Sequence, residues 1–268
     1  MSAEHAPEKD LAANGAGSSH IPHQHQDVSH FGHGWNQGGA VHPSMFRAYE
    51  PRKLANPAPL GLSAFALTTF VLSAVNMEAR GVKVPEVVVP LAFGYGGLVQ
   101  LLAGMWEIAA GNTFGATALS SYGGFWISYA LLLTPSPWGI MEETGPYAGD
   151  TSSVVGFFLT GWFIFTTILL ICTLRSSVAF FLLFFTLDLA FLFLSCEMYA
   201  RDLGNEAAAT GLKQAGGFFG FLAAFLAWYN ALAGIQDSSN SFFAVPVFHF
   251  PWSDKGRELR SAKTTSTA

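Results

Sequence analysis

Residues 152–174 read SSVVGFFLTGWFIFTTILLICTL, twenty-three residues without a single Asp, Glu, Lys or Arg. A helix rises 1.5 Å per residue, so about 20 apolar residues cross the roughly 30 Å of hydrocarbon in a bilayer. Lipid offers no hydrogen-bond partner to an open backbone, so such a run reads as a membrane-spanning helix. Working outward, five more runs of similar length lie at 57–77, 87–109, 115–134, 176–199 and 214–236. Four of the six carry no charged residue; Glu107 lies near the end of the second, and Asp188 and Glu197 lie in the fifth. The pattern predicts an all-α integral membrane protein with six transmembrane helices in one bundle.

Composition agrees. The chain is 51% hydrophobic and only 12% charged, with a mean hydropathy of +0.36. A soluble domain carries about 25% charged residues, so the missing charge is surface that faces lipid. The net charge of −5 is spread out, and without a basic stripe the chain is not expected to bind nucleic acid. Cys172 and Cys196 fall inside apolar runs and read as buried, inert thiols rather than a disulfide. No nucleophile–base pair, phosphate loop or zinc spacing is visible, so an enzyme is not expected, and neither is a cofactor or a resident metal. Seven of the eight histidines lie in the N-terminal tail, including His20, His23, His25, His30 and His33. With no Cys beside them they read as part of a solvated tail rather than a metal site.

Three regions follow. Residues 1–53 are Gly-, Ser- and His-rich, lack the apolar core of a signal peptide, and are expected to be a disordered cytoplasmic tail. Residues 54–237 form the transmembrane transport domain, and 238–268 a largely disordered C-terminal tail. Six spans put both ends on one side, which carries Arg47, Arg52, Lys53, Arg175 and Lys255; the other side carries Arg80, Lys83, Arg201 and Lys213. The small excess favours cytoplasmic termini. Ser120 with Gly124, and Gly216 with Gly220 and Ala224, place small residues four apart, which lets helices approach closely inside one subunit or between subunits.

The most distinctive string is Asn56-Pro57-Ala58-Pro59-Leu60-Gly61-Leu62, at the mouth of the first span. Asn is a good N-cap, and Pro fits a first helical turn because the N–H it lacks would be unpaired there. A helix end of this kind presents free N–H groups and suits a carboxylate. Asn56-Pro57-Ala58 also matches half of an aquaporin filter, and Gly94-Tyr95-Gly96 part of a potassium-channel filter. The first occurs once, at a membrane edge, and the second lies within an apolar span, so neither channel type is expected.

Together with Gly111-Asn112-Thr113-Phe114-Gly115 and Ser121-Tyr122-Gly123 followed by Phe125-Trp126, the heptapeptide resembles the acetate uptake transporter family. That family includes the bacterial succinate–acetate permeases and the fungal ammonia/acetate transporters. The resemblance covers roughly residues 54–235, and the His-containing tail looks like the fungal branch. It implies a six-helix subunit assembled as a homo-hexamer, with one pathway per subunit. It also implies an apolar constriction formed by Phe65, Tyr122 and Leu187, and a plasma-membrane location.

The expected function is transport of acetate or a similar small monocarboxylate with protons as partner. Inward movement of one anion against a negative interior costs about 2.3 kcal/mol per 100 mV, and a co-moving proton cancels it. The polar lining is expected from Asn56, Thr68, Thr69, Gln100, Asn112, Thr113, Ser120, Ser121 and Tyr122, with Pro57 at the mouth. Ionisable groups inside a membrane are functional candidates, which singles out Asp188 and Glu107 for a proton relay. Two other readings stand beside this one: an ammonia or ammonium export channel, and a membrane sensor whose tails are the working parts.

Overall fold

Apolar, charge-poor runs become helices here because a helix closes its own backbone bonds. The computed structural model describes residues 54–135, 139–142 and 144–266. The expected tail 1–53, with its histidines and Arg47, Arg52 and Lys53, lies outside the described residues. Six long helices run in sequence: α1 (Ala58–Asn76), α2 (Pro85–Ala109), α3 (Thr113–Leu133), α4 (Thr151–Thr173), α5 (Val178–Asp202) and α6 (Glu206–Ile235). Five of them, all but α3, are long and apolar enough to cross a membrane by length and composition. Among the described residues there is no strand, only one isolated bridge between Ser177 and His249.

The observed ends follow the sequence reading closely, with one clear departure. The sixth helix starts at Glu206, not near residue 214. Its first two turns, EAAATGLK, are too polar for an apolar count to include but are good helix formers, and Asn205 caps them by accepting from the Ala208 N–H at 3.1 Å. Short corners join the helices. Gly111, at φ +79°, and Gly204, at φ +70°, take the left-handed conformation that ends α2 and α5, a place where glycine is favoured.

The helices follow one another around a ring. Each packs on its chain neighbour, α6 closes back on α1, and α3 meets α4 through large aromatic side chains such as Phe125 on Phe158. The close approaches use small residues. Gly104 of α2 lies against Ser120 of α3, Gly123 of α3 against the Leu101 backbone, and Gly220 of α6 against Ser73 of α1. The small-residue series of the sixth helix therefore packs within the subunit: Gly216 faces Leu194, Gly220 faces Ser73, and Ala224 is fully buried. Gly124, paired with Ser120 in the sequence reading, points into open space.

In α2, residues Gly94–Val99 form a π turn, where an extra residue is taken into the helix. Gly96 and Gly97 make room for it: a methyl at Gly97 would lie 2.3 Å from the Ala92 carbonyl oxygen.

Two expectations are corrected. The C-terminal tail, expected to be largely disordered, carries a seventh helix, α7 (Asp254–Ser266), and is bonded back to the α4–α5 corner. Trp252 Nε1 donates to the Leu174 carbonyl at 2.7 Å, the Val178 N–H donates to the Phe248 carbonyl at 2.7 Å, and Arg175 pairs with Asp254 at 3.0 Å. Arg257 and then Arg175 hold the Asp254 carboxyl below the usual carboxylate range. The thiols are unpaired, but Cys172 is exposed rather than buried, because it lies in the last turn of α4 where the wall of an open cavity ends.

Candidate functional site

Three helices bring one large side chain each to the same level. Counting 1.5 Å per residue from the helix starts, Phe65 lies about 10 Å into α1, and Tyr122 and Leu187 about 14 Å into α3 and α5. All three are buried in one cluster, with the Phe65 and Tyr122 ring centroids 6.1 Å apart. Tyr122 is held firmly. Its hydroxyl lies 2.9 Å from Thr166 Oγ1, whose own proton goes to the Trp162 carbonyl at 2.7 Å, so the tyrosine is the donor. Rings of Trp162, Phe165, Phe184 and Phe191 surround it at 5.9–6.5 Å between centroids.

On either side of this cluster lies a cavity. The terminal-side cavity, about 350 Å³, is lined by Leu62, Gln100, Asn112, Phe114 and Arg175 among others. The far-side cavity, about 390 Å³, is lined by Thr69, Ser73, Trp126, Glu197, Arg201 and Lys213 among others. Phe65 and Leu187 line both, and Tyr122 lines the terminal-side one. An apolar cluster thus lies between two cavities, each large enough for a two- to four-carbon acid.

Residues in the walls of both chambers carry buried polar atoms that have no partner among the described residues. Gln100, 1% exposed, leaves both amide atoms unbonded in the terminal-side cavity; Thr69 Oγ1 and Trp126 Nε1 are unbonded in the far-side cavity. Buried polar groups normally find partners, so these unpaired atoms are candidates for hydrogen bonds to a solute. An amide suits a carboxyl group in either protonation state, because it donates to an anion and accepts from an acid proton.

The other sequence candidates divide. Asn112 lines the terminal-side cavity and caps α3, accepting from the Gly115 N–H at 3.0 Å. Thr113 lies beside it, exposed, and lines neither cavity. The expected cap at Asn56 is displaced by one residue. Pro57 occupies the cap position, and Asn56 accepts from the Ala58 N–H at 3.2 Å while its amide reaches the Gly234 carbonyl at 3.5 Å. Ala58, rather than Asn56 or Pro57, reaches the cavity wall. Asp188 points at α4, accepting from the Thr167 hydroxyl at 2.8 Å, and lines neither cavity. Glu107 is 2% exposed, tucked under the α2–α3 corner, and not open to the membrane surface. Ser120 is used in packing against Gly104.

Sequence reasoning passed over Trp126, Glu197, Arg201 and Lys213 in the far-side chamber. The signal for two of them was present: Glu197 and Arg201 are four apart on one helix face, in the favourable acid-before-base order.

Comparison with known proteins gives a consistent picture. The family profile described as GPR1/FUN34/yaaH matches residues 37–252. Acetate permease A of Emericella nidulans is 62% identical over 86% of this chain and 78% of its own. Ammonia transport outward protein 2 of Saccharomyces cerevisiae is 48% identical over 81% of this chain and 74% of its own. The succinate-acetate/proton symporter SatP of Escherichia coli is 30% identical over 73% of this chain and 96% of its own. The solved structure of the bacterial acetate channel SatP superposes with a TM-score of 0.58 at 30% identity, covering 73% of this chain and 99% of that one.

Proposed function

Because the chain belongs to the GPR1/FUN34/yaaH family, we propose that it moves acetate across a membrane through the neck between its two cavities. It is an integral membrane transporter and not an enzyme. The observation that carries the mechanism is the apolar pinch of Phe65, Tyr122 and Leu187 between two chambers with unbonded polar atoms. Acetate rests in a chamber against Gln100, Thr69 or Trp126, sheds water, and passes the neck as the neutral acid. Large rings reject hydrated ions, which cannot shed their water against hydrocarbon. Uptake is therefore proton-coupled.

The finer parts belong to the same proposal. The subunit crosses the membrane six times, with α3 as the span whose Thr, Ser and Gly content lowers its hydropathy. Both termini face the cytoplasm of a plasma-membrane homo-hexamer, so the terminal-side cavity opens inward. The 48% likeness to an ammonia transport outward protein supports a second reading, outward movement of ammonia, since a neutral small base would also pass an apolar neck.

One experiment separates them. In cells lacking their own acetate carriers, labelled acetate uptake is expected to rise as external pH falls toward the acid's pKa and to collapse with an uncoupler. Uptake indifferent to both would remove the proton. No acetate uptake, alongside ammonia efflux, would favour the second reading.

A further inference from the structure

Glu197 lines the far-side cavity yet its side chain is only 3% exposed. One turn later on α5, Arg201 holds it with two N–H groups on the same oxygen: Nη2 to Oε1 at 2.6 Å and Nε to Oε1 at 3.2 Å. Arg201 is itself 39% exposed, also lines the cavity, and gives its remaining edge to the exposed Glu206 at 3.3 Å. With Lys213 it supplies the positive charge of this chamber. The remaining groups around Glu197 are few. Glu206 and Lys213 come from α6, Tyr129 of α3 lines the same chamber, and Glu86 of α2 acts on that tyrosine; α4 brings Thr151, Ser152 and Val155. Counting from Asp202, Glu197 sits about 8 Å inside the far end of α5, where a solute from that side arrives first.

We propose that Arg201 is shared between Glu197 and the incoming carboxylate, and that this exchange is what couples a proton to each acetate. The inference rests on the transport reading above. A guanidinium offers a planar fork of N–H donors that a carboxylate fits, so acetate entering the chamber competes with Glu197 for it. Once displaced, the Glu197 carboxylate is buried without its counter-charge, and an unpaired buried charge is removed most cheaply by protonation. The proton comes from the cavity water. Before the exchange the site holds Arg⁺ and Glu⁻; afterwards it holds Arg⁺, acetate⁻ and neutral Glu–COOH. The site has gained one acetate and one proton and no net charge. For the next step the proton passes from the Glu197 carboxyl to acetate, neutral acetic acid leaves for the neck, and Arg201 returns to the carboxylate of Glu197. One carboxylate thus admits one proton. An ion pair that served only to brace one turn of α5 against the next would have no reason to line a solute chamber with its carboxylate buried, a costly arrangement for stability alone.

The test uses the purified full chain in lipid vesicles, with labelled acetate and an internal pH dye. For Glu197→Gln, which keeps size and a contact to Arg201 but cannot take the proton, net uptake driven by an inward proton gradient is expected to fall about tenfold or more. The pH profile flattens, and exchange against internal acetate, in which each acid still takes its proton from Glu197 before the neck, falls with it. Arg201→Lys is expected to raise the acetate KM about tenfold with a smaller change in kcat, since a point charge replaces a fork. Glu197→Asp, which restores a carboxyl, is expected to recover the wild-type pH profile at a reduced rate, and it decides the matter should the Gln variant not fold. A Gln variant with the wild-type proton-to-acetate ratio, or an Asp variant as uncoupled as Gln, overturns the assignment while leaving acetate transport standing. Wild-type vesicles that carry acetate without protons overturn it as well. Vesicles that carry no acetate at all overturn the transport reading and this inference together.

Discussion

Phe65→Ala is expected to loosen the size limit on the transported acid. The ring belongs to both cavity walls and contacts Tyr122, so truncating it joins the two chambers through a wider neck. Lactate and succinate, both bulkier than acetate, should gain on it by about tenfold in relative rate, equivalent to about 1.4 kcal/mol of selectivity. Phe65 is also 5% exposed, so it packs as well as pinches, and large-to-small changes in cores cost roughly 3–5 kcal/mol. The two effects separate in measurement. Uptake of acetate, lactate and succinate is normalised to the amount of folded protein in the membrane. A lower amount with an unchanged selectivity ratio would assign Phe65 to packing alone; a shifted ratio per folded molecule supports the neck.

The largest effect on stability is expected at Gly104. A Cβ there would lie 2.4 Å from the Ser120 backbone nitrogen, 2.3 Å from Ser120 Oγ and 3.0 Å from the Leu119 carbonyl carbon. Two of these three atoms are main chain and cannot rotate aside. Gly104→Val must therefore push α2 off α3, and since Gly123 binds the same pair of helices from the other side, the crossing cannot simply tilt. A loss of about 3 kcal/mol, the upper part of the usual range for overpacking, would leave little folded protein. Gly124→Val is the control, since nothing lies within 4 Å of its added carbon. Thermal unfolding of both variants in detergent checks this: equal losses at the two positions would show that the close crossing is not what makes Gly104 intolerant. If Gly124→Val leaves the subunit stable but changes the particle size, the face it occupies is a subunit contact.

The helices were legible because apolar content over twenty residues is a local property, and residues 152–174 announce it without ambiguity. What the count misses is polar helix beyond the bilayer, such as the first two turns of α6. The strap formed by the C-terminal segment was hidden for a different reason. Its bonds join Trp252 to Leu174 and Asp254 to Arg175, nearly eighty positions apart, and no local composition encodes such contacts. At the site, the alignment of short strings put Phe65, Tyr122 and Leu187 on three helices, and the structure brings them to one level. Whether a buried acid looks into a cavity depends on helix rotation. Charge alone drew attention to Asp188 and Glu107, while geometry shows Glu197 facing the chamber.

A neck as short as the one proposed would also decide where the membrane voltage acts. Two chambers with charged side chains at their mouths would hold water and the ions dissolved in it, and conducting solution sustains almost no electric field. The potential would therefore fall mainly across the few ångströms of hydrocarbon side chain around Phe65, Tyr122 and Leu187 rather than evenly over the bilayer. A bare carboxylate would meet nearly the whole of its electrical work, about 2.3 kcal/mol per 100 mV, in that single step. A group in the far-side chamber, Glu197 included, shares the potential of the solution on its own side. Under the proposed mechanism its loading with protons would follow the pH there and be nearly blind to voltage, so a cell that depolarises would keep its intake of neutral acid.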